Sequence, residues 1–298
     1  MSETYRAGFI AVVGRPNVGK STLINAIVGR KVSIVTSKPQ TTRHRILAVH
    51  SSADWQMIFV DTPGIHRNAG KAMNRLMNRT AAAALADADL VLYVTDAARF
   101  TDEDGDVLKR LASVRGPVIA VLNKVDLVHP KERLFEAIAA MAARRDFEEI
   151  VPLSASKGSN VGVLTDLIPR HLPESPPLFP PEMQTDRGED FQAAEIVREK
   201  LMILLRDEIP YGLTVQIEKY EREAGGMSIA AVIWVERDSQ KGIVVGKGGS
   251  MLKRVGKAAR LDLSDILGVP VHLELWVKVK ANWADSEKDL ANLGYDAP

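Results

Sequence analysis

Cysteine is absent from the 298-residue chain, so disulfides and thiolate metal sites are excluded and a reducing, cytoplasmic setting is expected. Long apolar runs are missing too. No stretch reaches the length needed to cross a bilayer, and the N-terminus lacks the charged-then-apolar pattern of an export signal. Neither sign of charge prevails: 39 lysines and arginines face 38 aspartates and glutamates, so only local clusters can point to a partner. Internal repeats and low-complexity tracts are lacking as well. The length suits two domains, and 46% apolar residues suffice to bury a core in each.

The most informative stretch is Gly14-Arg15-Pro16-Asn17-Val18-Gly19-Lys20-Ser21, which fits the phosphate-loop pattern G-x-x-x-x-G-K-[ST]. The apolar run 7–13 before it reads as a buried parallel strand, and 21–28 after it, Thr22 included, has apolar residues at helical spacing. Glycines let the backbone curl until successive N–H groups face one phosphate, and the helix N-terminus adds the positive end of its dipole. Lys20 is then expected to reach the β- and γ-phosphates and Ser21 to hold Mg²⁺. A glycine turn before an ordinary helix would share the letters, but not the strand–loop–helix order. The stretch predicts binding of a nucleoside triphosphate.

Strand-like runs at 9–13, 46–51, 56–60, 90–95, 118–122 and 150–153 alternate with helical patterns at 21–28, 73–85, 103–114, 134–143 and 162–171. That alternation predicts an α/β domain over 1–172, a mostly parallel sheet with helices on both faces. The proline-rich stretch within 173–190 reads as an extended, semi-rigid linker. Residues 191–282 follow a different order: helix, strand, strand, glycine-basic loop, helix, strand. This predicts a second, α+β domain. The tail 283–298 has an acidic bias and no assigned role.

Three strand ends bear on the choice of nucleotide. Asp61-Thr62-Pro63-Gly64 ends the run 57–60, where a carboxylate reaches Mg²⁺ through water and the Gly64 N–H can sense a γ-phosphate; a plain turn is the competing reading. Asn123-Lys124-Val125-Asp126 ends the run 118–122. Asp126 can accept from both N1–H and the 2-amino group of guanine, donors that adenine lacks, and such a site rejects the wrong base by about 10⁴. Lys124 would lie along the purine face and Asn123 would brace the loop. Leu153-Ser154-Ala155 is a weaker signal, in which the Ala155 N–H could meet the guanine O6.

These elements are similar to those of translational and ribosome-associated GTPases, and Pro39-Gln40-Thr41-Thr42-Arg43-His44-Arg45 resembles the first switch region of the Era GTPase family. The resemblance covers essentially the whole chain. It implies a Ras-like P-loop G-domain, GTP hydrolysis to GDP, and binding to 16S ribosomal RNA in assembly of the 30S subunit. It further implies a switch threonine that binds Mg²⁺ and closes over the γ-phosphate; register with related GTPases favours Thr42 over Thr41. Lys20, Thr42 and Gly64 would form the catalytic set, and Ser21, Thr42 and Asp61 the metal set. Ile65 stands where many GTPases carry a water-orienting glutamine, so slow turnover is expected. Asn17 occurs in GTPases that recruit a potassium ion at the arginine-finger position; stabilising the loop's turn is an equal reading. Arg43 and Arg45 could supply charge in cis, but are read first as solvated or awaiting a partner.

In the second domain, Gly246-Lys247-Gly248-Gly249 joins the apolar run 243–245 to a helix and resembles the G-x-x-G loop of a bacterial-type KH domain, which clamps about four single-stranded nucleotides. Lys241, Lys247, Lys253, Arg254, Lys257 and Arg260 gather there without an acidic residue. Ile243, Val244, Val245 and Leu252 could line the groove for the bases. A glycine turn before a solvated basic helix is the alternative for the loop alone. For the whole chain, the alternative is a GTPase whose basic domain docks on an anionic membrane or a protein, with peripheral contact at the inner face of the cell membrane. Against membrane docking stands the lack of an amphipathic insertion helix or lipidation motif. An ATP-dependent kinase is opposed by the guanine element at 123–126. No DNA partner is expected.

Overall fold

Arg6–Val13 (β1) begins a six-stranded sheet whose core depends on strict alternation: Ile10 and Val12 face one layer of helices, Ala11 and Val13 the other. The structure, a computed structural model, describes residues 4–64, 71–205 and 212–295. After β1 come α1 (Lys20–Val28), β2 (Ile46–Ser51), β3 (Trp55–Asp61), α2 (Ala72–Ala86), β4 (Leu90–Asp96), α3 (Asp102–Leu111), β5 (Val118–Asn123), α4 (Arg133–Ala142), β6 (Glu149–Pro152) and α5 (Val161–Leu167). The strand order is β2-β3-β1-β4-β5-β6, parallel throughout except for the antiparallel β2–β3 pair. Helices α1 and α5 cover one face, and α2, α3 and α4 the other. Strands buried on both faces need continuous apolar runs, which is why the sequence shows them so clearly.

The second unit runs α6 (Glu189–Leu204), β7 (Leu213–Glu223), β8 (Gly226–Val235), α7 (Asp238–Val245), α8 (Ser250–Leu267) and β9 (Val271–Val279), followed by α9 (Glu287–Asn292). Its sheet has the order β7-β8-β9, antiparallel then parallel, and α6, α7 and α8 pack on one face.

Three stretches are placed in ways the sequence did not show. The apolar run 243–245, read with the glycine-basic loop, is the last turn of a further helix, α7. Its β-branched residues favour strand locally, but Gln240 folds back to accept from the N–H groups of Glu236 and Arg237 and starts a helix whose Val244 enters the core. The proline-rich linker does not stand free. Gln56 accepts from the Leu178 and Phe179 N–H groups, Val49 donates to Gln184, and Phe179 packs edge-on against Phe9. Lastly, the tail is structural: Trp283, Leu290 and Tyr295 are buried against Met73, Leu76 and Met77 of α2, joining the two units.

Candidate functional site

The carboxyl ends of β1, β3, β5 and β6 converge on one rim, and the loops that follow them carry the sequence elements. Gly14 and Gly19 both have positive φ; a side chain would strike the Val94 carbonyl at 2.2 Å in the first case and the Asn123 amide at 2.3 Å in the second. The loop therefore requires glycine at both positions. Lys20 is buried and donates to the Gly14 and Arg15 carbonyls at 3.0 and 3.1 Å. Burial pulls its pKa down to about 8, with Asp61 pulling the other way.

Ser21 donates to Asp61 Oδ2 at 2.9 Å, and the Thr42 hydroxyl lies 3.0 Å from Ser21 Oγ and 3.5 Å from the same carboxylate oxygen. Thr41 instead bonds Thr36 and the Lys38 carbonyl. Asp61 is wholly buried, and its Oδ1 has no hydrogen-bond partner among the described residues. Burial raises its pKa, opposed by the nearby Ser33 and Ser21 hydroxyls, by Lys20 and by the Thr42 hydroxyl. A cluster of hard oxygens around a buried carboxylate with one unpartnered oxygen fits a small divalent cation. Gly64 abuts Pro16 on the same cleft, which Thr22 also lines, whereas Thr62 reaches back to the Val12 carbonyl and braces the strand. Ile65 lies outside the described residues.

At the base end, Asn123 donates to the Val18 carbonyl at 2.8 Å and accepts from the Lys124 and Ala155 N–H groups at 2.8 and 3.0 Å, tying three loops together. Ala155 therefore spends its N–H on Asn123, and a guanine carbonyl would have to share it. Ser154 donates to Asp126, and that hydrogen bond holds the carboxyl below its ordinary range, ready to accept. Sequence reasoning missed Asp96, which ends β4 and holds Lys124 Nζ at 3.0 Å; its signal was one more acidic residue after an apolar run. Arg15 turns its side chain away to pair with buried Asp104 of α3 at 2.9 Å, leaving its backbone to the loop.

The switch stretch is fastened to the second unit. Val35 donates to Glu199 at 3.0 Å, Arg43 to the Leu213 carbonyl at 2.7 Å, Lys38 to the Leu205 carbonyl and Arg198 to the Thr41 carbonyl. Arg198 also makes a buried two-pronged pair with Glu195. Burial opposes ionisation of Glu195, yet the charge and hydrogen bonds of Arg198 outweigh it and lower its pKa. His44 sits between Phe191 and Tyr295, with ring centroids at 5.0 and 4.3 Å, and burial keeps it neutral by lowering its pKa to about 4.

In the second unit Gly246, Gly248 and Gly249 all have positive φ and form a tight turn into α8. A groove beside it is lined by Gly248, Gly249, Leu252, Lys253, Lys257 and Arg260, with Leu273 and Leu275 of β9 opposite and Gly256 at its floor. Lys247 belongs to the turn itself. Arg254 does not line the groove: one position from Lys253 on a helix, it points about 100° away. Val244 is 0% exposed and supports the groove from the core, while Ile243, on the outer face of α7, is 50% exposed. Leu273 and Leu275 were missed because a strand thirteen or more residues beyond Arg260 has no local link to the loop.

Two family profiles match: "50S ribosome-binding GTPase" over residues 9–124 and "KH domain" over residues 208–284. The chain is 48% identical to GTPase Era of Vibrio vulnificus (strain YJ016) over 296 residues, 99% of this chain and 92% of that protein. To GTPase Era of Cronobacter sakazakii it is 48% identical over 297 residues, 99% of both chains. A crystal structure of Era with MgGDPNP and nucleotides 1506–1542 of 16S ribosomal RNA superposes with a TM-score of 0.94 at 39% identity, covering 98% of this chain and 99% of that one. An Aquifex aeolicus Era variant bound to GDP·AlF4⁻ gives 0.93 at 39% identity, over 97% and 99%. Near-complete coverage in both directions, with a phosphate loop, a guanine element and a glycine-turn groove on matching domains, leaves one conclusion: the chain belongs to the Era family of GTPases.

Proposed function

We propose that the protein is a GTP-driven switch that grips single-stranded 16S ribosomal RNA in the groove beside α8 and acts in assembly of the small ribosomal subunit. The observation that carries this reading is the attachment of the switch stretch to α6: the backbone that must close on a γ-phosphate is hydrogen-bonded to the RNA-binding unit. The crystallised Era relative, holding both MgGDPNP and a 16S RNA fragment, supports the same pairing of ligands.

In this reading the backbone N–H groups of 14–19 cradle the phosphates, Lys20 exchanges its carbonyl partners for β- and γ-oxygens, and the Gly64 N–H meets the γ-phosphate. Ser21, Thr42 and Asp61 would hold Mg²⁺, which supplies charge neutralisation across the β- and γ-phosphates. Asp126 accepts from guanine, and Lys124, tethered by Asp96, covers the ring. Asn17 has positive φ and donates to the Ser37 carbonyl at 2.7 Å, bringing amide and carbonyl oxygens of loop and switch together. Such oxygens suit a potassium ion at the phosphate edge. Replacing K⁺ by Na⁺ should then slow hydrolysis in the wild type and hardly affect Asn17→Ala; equal wild-type rates in the two salts would remove the ion.

The RNA half is tested at the glycine turn. Gly246 is unsuitable for substitution, because a side chain there would lie 2.8 Å from Met251 and strain the loop itself. Lys247→Asp with Lys253→Asp puts carboxylates where a phosphate approaches and leaves the glycine conformations of the turn untouched. Affinity for a short single-stranded 16S segment should collapse, with a shallower salt dependence, while GTP affinity stays unchanged. If the folded variant binds RNA like wild type, the groove assignment is wrong. If wild type binds anionic vesicles but no RNA, the basic face serves a membrane.

A further inference from the structure

The three-stranded sheet has two faces of different character. One packs on α6, α7 and α8, while alternate residues of β8 and β9 point the other way. On that outer face Trp276 is 45% exposed, the only tryptophan among the exposed large apolar residues described. It lies diagonally from Trp234, because Trp276 pairs with Val232 and Trp234 with Lys278 across the β8–β9 ladder. Lys278 and Lys280 hold their ammonium groups 5.6 and 6.0 Å from the Trp234 ring centroid. Both are engaged, with Glu218 at 2.9 Å and Asp289 at 2.7 Å. The exposed Lys278–Glu218 pair contributes little in water, so an arriving phosphate displaces it at small cost.

This face adjoins the groove. Leu275 lines the groove, and the next residue, Trp276, stands on the opposite side of the same strand. Strand β9 is at the edge of its sheet. A nucleic-acid strand held at Leu273 and Leu275 has only the width of that edge strand to cross before its next base meets Trp276.

We propose that the outer face is a second single-stranded RNA surface: RNA leaving the groove over β9 stacks a base on Trp276 and sets its phosphates against Lys278 and Lys280. The inference rests on the RNA reading of the groove. Aromatic rings interleaved with cations are the ordinary platform for single strands, and a glycine turn that clamps about four nucleotides leaves a longer strand to be held elsewhere. A protein partner is the poorer fit, because His272, Glu274 and Lys278 surround Trp276 with charge and polarity in place of an apolar patch.

The test titrates the full chain with a groove-filling RNA of about four nucleotides and a longer one of about twelve. Trp276→Ala should lower affinity for the longer RNA about tenfold and leave the short one unchanged. Trp276→Phe should keep most of the affinity, and only the longer RNA should quench tryptophan fluorescence through stacking. Lys278→Ala should flatten the salt dependence of the longer RNA alone. Equal affinity of wild type and Trp276→Ala for the longer RNA, with the short RNA still bound, overturns this surface and leaves the groove standing. Wild type that binds neither RNA overturns the groove reading, and this inference with it.

Discussion

Lys20 carries a consequence that can be measured without RNA. Burial holds its pKa at about 8, and phosphates arriving at the ammonium group would raise it again. Below that value the empty site is already protonated and GTP binds with no proton change at this group. Above it, binding must take up a proton, so affinity falls as pH rises, by up to about tenfold per unit. Titrating GTP between pH 7 and 9.5 checks this; a flat affinity over that range would mean the amine stays charged in the empty site. The loops proposed to hold nucleotide were the most legible part of the sequence at this scale, because Gly14, Gly19, Asp61 and Asp126 each lie within a few residues of a strand end. Asp96 and the partner of Arg15 were not legible, since they depend on which strands and helices become neighbours.

Helix α6 is the element where stability and switching meet. Its Glu195–Arg198 pair is buried, so removing one member alone, as in Arg198→Met, strands a charge and should cost about 3–5 kcal/mol. Replacing both, Glu195→Leu with Arg198→Met, removes that penalty and should leave stability close to wild type. What the double variant loses is the donor to the Thr41 carbonyl. In the proposed reading the switch stretch grips a γ-phosphate, so affinity for a GTP analogue should fall several-fold while affinity for GDP holds. An unchanged ratio of the two affinities would show that α6 does not hold the switch. Periodicity found α6, but its buried Glu195, Arg198 and Glu199 give no local hint of a partner more than 150 residues away.

At the level of the whole molecule the tail acts as a clasp. Trp283 is fully buried between the second unit and α2, with its indole N–H donated to the Gly212 carbonyl at 3.3 Å; Tyr295 reaches Thr214 at 2.8 Å and stacks on His44. Trp283→Ala should therefore cost about 3–5 kcal/mol in denaturant unfolding, as large-to-small changes in a core do. A loss within about 0.5 kcal/mol, the range of ordinary surface substitutions, would mean that the tail merely rests there. Its acidic composition concealed this, because the few apolar residues that anchor it are spaced too irregularly to read as a helix face.

The division between what was readable and what was not follows contact range. The phosphate loop, Asp61, Asp126 and the glycine turn each lie in a short run with one backbone conformation, so residue type and spacing were enough to single them out, and the alternating pattern was enough to predict a mostly parallel, helix-covered sheet, though not its strand order. The choice of Ile243 over Val244 for the exposed face, the turning of Arg254 away from the groove, and the pairing of Leu273 and Leu275 with α8 needed the packed second unit. So did the joining of switch, α6 and tail into one interface. Those contacts link residues far apart in the chain, and burial decides them once the sheets and helices have met.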